Sequence, residues 1–229
     1  MAFQTFRTAR GQPEIVSGQV ALPGIEPVPN STDALFFAIY PDSKTATHIA
    51  RIAEALRGNY RLQGKPLLTG RFHVTLFSLG VYANGLPPEL VAAALRVGEA
   101  IAAPTFDVAF DMATDFGTSL PRRPVVLTGS DGPGTLTAFR EVLGAGLNRV
   151  GLLSRAGASY RPHVTLLYDS HAGGRPRLCK VVEPVRWTGR EFVLVHSLVG
   201  KKRHVPIGRW QLLPASDESA PELDGAPCH

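Results

Sequence analysis

The sequence predicts an α+β fold: two related lobes, each an antiparallel sheet with flanking helices, set in a pseudo-two-fold arrangement around a central cleft. Three observations predict it. Short β-rich runs and helical stripes are mixed without the strict strand–helix–strand period of a doubly wound sheet. The hexapeptide R-x-H-V-T-L occurs twice, at residues 71–76 and 161–166, ninety residues apart. A length of 229 residues with 44% hydrophobic and 19% charged side chains suits one substantial domain or two small lobes.

The elements follow in chain order. Residues 1–33 are punctuated by Pro23, Pro27 and Pro29, so the segment reads as an extended arm with few regular backbone hydrogen bonds. Residues 34–40 (A-L-F-F-A-I-Y) read as a buried strand. Pro41, Asp42 and Ser43 then open a helix to about Arg57, in which Ile49, Ile52, Ala53 and Leu56 share one face. A second strand spans 72–79 and stops at Gly80. Pro87 and Pro88 sit at a helix start, and Leu90, Ala94, Leu95, Val97 and Ile101 line one side of that helix to about Ala102.

Residues 105–113 alternate as a strand, and 124–128 form another, short and apolar. A helical stripe of Leu136, Phe139, Val142, Leu143, Leu147 and Val150 covers 134–150. Strands follow at 162–168, 191–199 and 205–212. The last segment, 215–229, is small, acidic and too poor in apolar area to offset the entropy of ordering, so it reads as a mobile tail. The single two-lobed domain therefore spans 34–214.

Charge and cysteine usage bound the function. The chain has 24 Lys and Arg against 19 Asp and Glu, a net charge of +5. Asp217, Glu218, Glu222 and Asp224 lie in the tail, which leaves the body more basic still and favours an anionic partner such as a nucleotide or RNA. Cys179 and Cys228 form no C-x-x-C pair, which excludes a disulfide framework and a cysteine-based zinc site. No window is long and apolar enough for a membrane span, and the N-terminus lacks the apolar stretch of a secretory signal. A cytoplasmic, membrane-free protein is expected, with a monomer favoured.

The repeat carries the chemistry. Alternate residues of a strand share a face, so Arg71, His73 and Thr75 point one way and Val74 and Leu76 the other; Arg161, His163 and Thr165 repeat the pattern, with Pro162 a source of disturbed parity. Two such faces across one cleft suit in-line displacement at phosphorus, where the entering and leaving oxygens lie on opposite sides and each needs a proton relay. Histidine titrates near neutral pH, so one copy can accept a proton while the other donates. The threonine hydroxyls can hold the nonbridging oxygens, and the arginines add cationic potential. A cleft this symmetric does not by itself order the two histidines.

Other signals have plainer readings. Asp131-Gly132-Pro133-Gly134 precedes a helix but lacks the Lys of a phosphate-binding P-loop, and reads as a turn. His48, His171, His196, His204 and His229 show no metal-ligand spacing, so no metal site is expected. Lys201, Lys202, Arg203 and His204 read as a solvated hairpin tip, with steering of an RNA backbone as the alternative. Phe77, placed by alternation on the face of His73 and Thr75, either stacks on a base or packs.

With both motifs intact, the chain resembles the two-histidine phosphoesterases, and within them the bacterial RNA 2',3'-cyclic phosphodiesterases, also called 2'-5' RNA ligases. The resemblance spans about 34–213: the F-F-A-I strand, F-H-V-T-L-F-S-L-G, R-P-H-V-T-L and a closing pattern near 197–212 with a Trp. It implies a bilobal fold and hydrolysis of cyclic phosphate ends to 2'-phosphates without metal or other cofactor, with ligation as the reverse reaction. It also implies that His73 protonates the leaving oxygen, that His163 activates water, and that Thr75 and Thr165 hold the phosphate. The arm, the tail and Val205, which stands near a position where relatives often carry an aromatic, depart from the family pattern. Two rival readings are a non-catalytic RNA or nucleotide binder and a phosphoesterase for another small cyclic phosphate or a 2'-5' oligonucleotide.

Overall fold

A computed structural model describes residues 31–116, 122–129, 134–153, 160–170 and 178–214. Residues 1–30 of the arm expected over 1–33, the acidic tail, the turn at 131–133, and His171, Cys228 and His229 lie outside these residues, whereas Asp33 at the end of the expected arm already starts the first strand. The elements are β1 (Asp33–Ile39), α1 (Ser43–Asn59), a 3₁₀ turn (Thr69–Arg71), β2 (Val74–Tyr82), α2 (Pro88–Glu99), β3 (Phe106–Asp115), β4 (Arg122–Thr128), α3 (Gly134–Arg149), β5 (Val164–Ser170), β6 (Cys179–Gly189), β7 (Glu191–Leu198) and β8 (Arg203–Gln211). The fold is α+β, as the mixed pattern predicts.

One eight-stranded antiparallel sheet runs in the order β6-β3-β4-β5-β2-β1-β7-β8. Two separate sheets were expected; instead, two four-stranded halves are joined between β2 and β5 by the pair Val74↔Val164. The halves repeat one another. In each, a strand (β1 or β4) is followed by a helix (α1 or α3) and then by the motif-bearing strand (β2 or β5), which pairs with the first. The seam of the sheet is therefore where the two copies of the motif meet.

The helices bury one face of the sheet. Leu35, Phe37 and Ile39 of β1 pack with Ile49, Ala53 and Leu56 of α1 and with Leu136, Phe139, Leu143 and Leu147 of α3 in the main core. Asp42 starts α1 by accepting the Thr45 backbone N–H at 2.8 Å. The opposite face carries a small second cluster of Phe36, Ala38, Val193 and Val195 with Tyr40 against it. All seven β1 residues are buried, which is why that strand reads as a continuous apolar run.

One strand was not expected. β6 is an edge strand, exposed along most of its length and interrupted by Pro184, so it shows neither an apolar run nor alternation. Among the described residues, no helix is long and apolar enough to cross a membrane.

Candidate active site

The antiparallel pair Val74↔Val164 fixes the geometry of the seam. Counting one residue either way places His73 opposite Thr165 and Thr75 opposite His163. The two histidines are thus diagonal neighbours, a relation that in a regular antiparallel pair spans roughly 7–8 Å. Phe72, Val74 and Leu76 are buried while Arg71, His73 and Thr75 are half-buried. In the second copy, Pro162, Val164 and Leu166 are buried, His163 and Thr165 half-buried and Arg161 exposed, so Pro162 leaves the parity intact.

Each histidine lies one residue before its strand begins, and both rings are tethered alike. His73 Nδ1 is 2.7 Å from the Arg71 carbonyl, and His163 Nδ1 is 2.8 Å from the Arg161 carbonyl. A carbonyl only accepts, so each Nδ1 carries the proton and, in the neutral ring, each Nε2 is left as the proton acceptor. Burial pushes the His73 imidazole down from 6.5 to about 4; the Arg71 carbonyl opposes this, and the nearby His163 and Arg71 add to it. His163 is also lowered, first by burial and then by Arg161, against the pull of its own carbonyl tether. Their surroundings thus favour neutral imidazoles, and His163 acts electrostatically on His73.

A one-residue bulge follows each histidine-threonine pair. In β2 the register steps from Ala38↔Thr75 to Phe37↔Phe77, and in β5 from Val126↔Thr165 to Val125↔Leu167, so Leu76 and Leu166 are the extra residues. The carbonyl of Leu76 accepts Arg140 Nε–H from α3 at 3.0 Å, and the carbonyl of Thr75 accepts the Tyr160 hydroxyl at 3.1 Å. Tyr160 precedes the second motif, so it ties the halves together; its ring lies 4.0 Å from the Arg140 guanidinium. Thr128 fixes the second lead-in by donating to the Pro162 carbonyl at 3.0 Å.

The bulge corrects the placement of Phe77. It does not share the face of His73 and Thr75; the extra residue turns it to the helix side, where it packs against the main core and the Arg140 guanidinium stands 4.2 Å from its ring. A Cβ on Gly144 of α3 would come within 2.9 Å of the Phe77 ring, so α3 closes directly over it.

The flanks of the pair are aromatic, which the sequence reading missed. Phe36 stacks on His73 with centroids 5.1 Å apart, His204 meets His73 edge-on at 5.1 Å, and Tyr40 is 5.7 Å away. On the other flank, Phe116 meets His163 edge-on at 5.0 Å and lies 5.6 Å from the Arg161 guanidinium. Arg71 acts electrostatically on His73, His204 and Tyr40 alike, so it stands within that group. Phe36 and Tyr40 lie in the F-F-A-I-Y run and differ in parity from its core-facing residues, a signal the sequence did carry. Arg140 and Phe116 had none.

The remaining candidates lie elsewhere. Lys201 and Lys202 occupy the exposed turn between β7 and β8, and Arg203 starts β8, as a hairpin tip requires. His204, grouped with them by sequence, turns inward instead. His48 pairs with Glu183, and His196 bonds Asp33 at the far end of β1. Cys179 is exposed and free. A cavity of about 530 Å³ lies in the second half, with Thr128, Tyr160 and Arg161 in its wall, but neither motif histidine lines it. Among the described residues, no three His, Cys, Asp or Glu side chains group as metal ligands.

An antiparallel sheet presenting two His-x-Thr pairs at its seam defines a class, the two-histidine phosphoesterases, and the comparisons agree. The family model of the 2'-5' RNA ligase superfamily matches residues 40–201, and the chain belongs to that superfamily. E. coli LigT in its apo form is similar in structure, with a TM-score of 0.60 and 25% identity over 80% of this chain and 99% of LigT. A crystal structure described as a phosphoesterase has a TM-score of 0.61 and 26% identity over 80% of this chain and 99% of its own. LigT complexed with 3'-AMP has a TM-score of 0.57 and 25% identity over 80% and 98% of the two chains. No curated protein matches the sequence.

Proposed function

We propose that the chain is a phosphodiesterase that opens 2',3'-cyclic phosphates at the ends of RNA or nucleotides to give 2'-phosphates. The observation that carries this reading is the seam quartet, with two identically tethered imidazoles set diagonally and a threonine opposite each. Both copies are on one chain, so a monomer suffices. The LigT complexes with 3'-AMP and ATP support a nucleotide-sized ligand in this fold.

The chemistry is an in-line displacement. With the roles implied by the family resemblance, neutral His163 accepts a proton at Nε2 from the attacking water, while protonated His73 gives its Nε2 proton to the departing 3'-oxygen. Thr75 and Thr165 donate hydrogen bonds to the nonbridging oxygens as charge builds there, and Arg71 and Arg161 add positive potential. Burial favours both rings neutral, but a bound phosphodiester brings one negative charge between them. That charge raises both imidazoles, so one proton is taken up with the substrate. With a 5'-hydroxyl end in place of water, the same steps form a 2'-5' linkage: His163 takes the proton of the attacking hydroxyl and His73 again protonates the departing 3'-oxygen.

The test is incubation of the wild-type chain with a cyclic-phosphate-ended oligonucleotide in EDTA. The expected product is a 2'-phosphate end. Binding without any product would refute the proposal.

A further inference from the structure

We propose that Arg140 is a positioning residue of the reaction: from α3 in the second half it reaches across the seam, with Tyr160 beside it, and holds the first motif at the spacing from His163 that the displacement needs. This rests on the reading of the seam as the catalytic site. The seam has little ladder of its own. β2 and β5 share the pair Val74↔Val164, and a bulge at Leu76 and at Leu166 interrupts each strand's pairing within its own half. Each bulge carbonyl is taken by a donor from the opposite half. The Leu166 carbonyl accepts the backbone N–H of Leu67 at 2.8 Å, beside the bridge Pro66↔Leu167. The Leu76 carbonyl accepts Arg140 Nε–H at 3.0 Å, and the Thr75 carbonyl before it accepts the Tyr160 hydroxyl at 3.1 Å. The second copy is thus stitched by main chain and the first by two side chains.

Arginine suits this task. The guanidinium centre lies 4.2 Å from the Phe77 ring and 4.0 Å from the Tyr160 ring, so its planar fork is held against two aromatic rings while Nε–H is aimed at the carbonyl. Among the described residues, no carboxylate pairs with it and draws it elsewhere. Thr75 and Leu76 follow His73 by two and three residues, so slack in this stretch moves His73 and Thr75 against His163 and Thr165. A misplacement of about 1 Å between reacting groups costs on the order of a hundredfold in rate. Arg140 acts through the backbone of the first motif and moves no proton.

The experiment compares Arg140→Met, Arg140→Lys and Tyr160→Phe with wild type, reading kcat and KM on 2',3'-cyclic AMP at a temperature where each chain is fully folded, and amide hydrogen exchange over 74–78. Methionine keeps the apolar stem and loses the donor; lysine keeps a donor and the charge. Arg140→Met is expected to lower kcat by roughly tenfold to a hundredfold with KM within about twofold of wild type, and lysine to recover part of the loss. Tyr160→Phe is expected to lower kcat less, and its effect to be non-additive with that of Arg140→Met because both brace one stretch. Exchange over 74–78 is expected to quicken in Arg140→Met while that of β7 stays unchanged. A wild-type kcat in Arg140→Met, or a raised KM at unchanged kcat, would overturn the proposal; if Arg140→Met does not fold, the same readings on Arg140→Lys and Tyr160→Phe decide it. Wild-type chain that turns over no cyclic phosphate would refute the hydrolase reading, and unchanged exchange over 74–78 would then still refute the brace.

Discussion

Acidification is expected to weaken the fold through His73, by an amount that follows from its position at the seam. Folded, the imidazole is pushed down to about 4, chiefly by burial; unfolded, it returns to 6.5. Below 6.5 the unfolded chain therefore takes up a proton that the folded chain refuses. The stability held by the neutral ring is complete above that value and is lost as the pH falls toward 4. Between pH 7.5 and 5, linkage with these two values removes about 2 kcal/mol. Urea unfolding of wild type and of His73→Asn at both pH values isolates this share, because the other titrating groups are common to both chains. Wild type is expected to lose about 2 kcal/mol more than the variant over that interval. Equal losses would show that the ring is not held neutral by its surroundings, and the derived order of protonation at the seam would fall with it.

Two further predictions concern roles and placement. If His73 is the acid, a substrate with sulfur in place of the 3'-leaving oxygen needs little protonation there, so the defect of His73→Ala is expected to shrink on that substrate while that of His163→Ala persists; the ratio of rates on the oxygen and sulfur substrates measures this, and rescue of His163→Ala instead would exchange the roles. Phe77→Ala is expected to cost about 2–4 kcal/mol of stability in urea unfolding, somewhat less than a fully buried aromatic because Phe77 is half-buried against the core, with KM for a cyclic nucleotide unchanged; a raised KM at unchanged stability would return Phe77 to the substrate face.

The chemistry-bearing strands were legible because period-2 alternation needs no tertiary information. It placed His73 with Thr75 and His163 with Thr165, and buried Val74, Leu76, Val164 and Leu166 beneath them. Alternation failed at Phe77, where the Leu76 bulge shifts the parity by one, and a bulge has no marker in a run as regular as H-V-T-L-F-S-L. β6 was invisible for a different reason: an edge strand buries little, so Glu183, Pro184 and Arg186 could stand where a central strand would need apolar residues. His204 was read with Lys201, Lys202 and Arg203 because they are neighbours in sequence. Its inward turn depends on the register of β8 against β7 and on Phe36 two strands away, and neither is written locally. The merging of the two expected sheets into one rests on Val74↔Val164, a contact across ninety residues, with a further bridge at Pro66↔Leu167 beside it.

The most direct test of the two-imidazole account is the rate of hydrolysis of a cyclic-phosphate-ended oligonucleotide, in EDTA, by wild type, His73→Ala, His163→Ala and the double variant. Each single change is expected to lower kcat by about a hundredfold or more, and the double variant to fall little further, because the pair acts as a unit. A wild-type rate in either single variant would contradict the account.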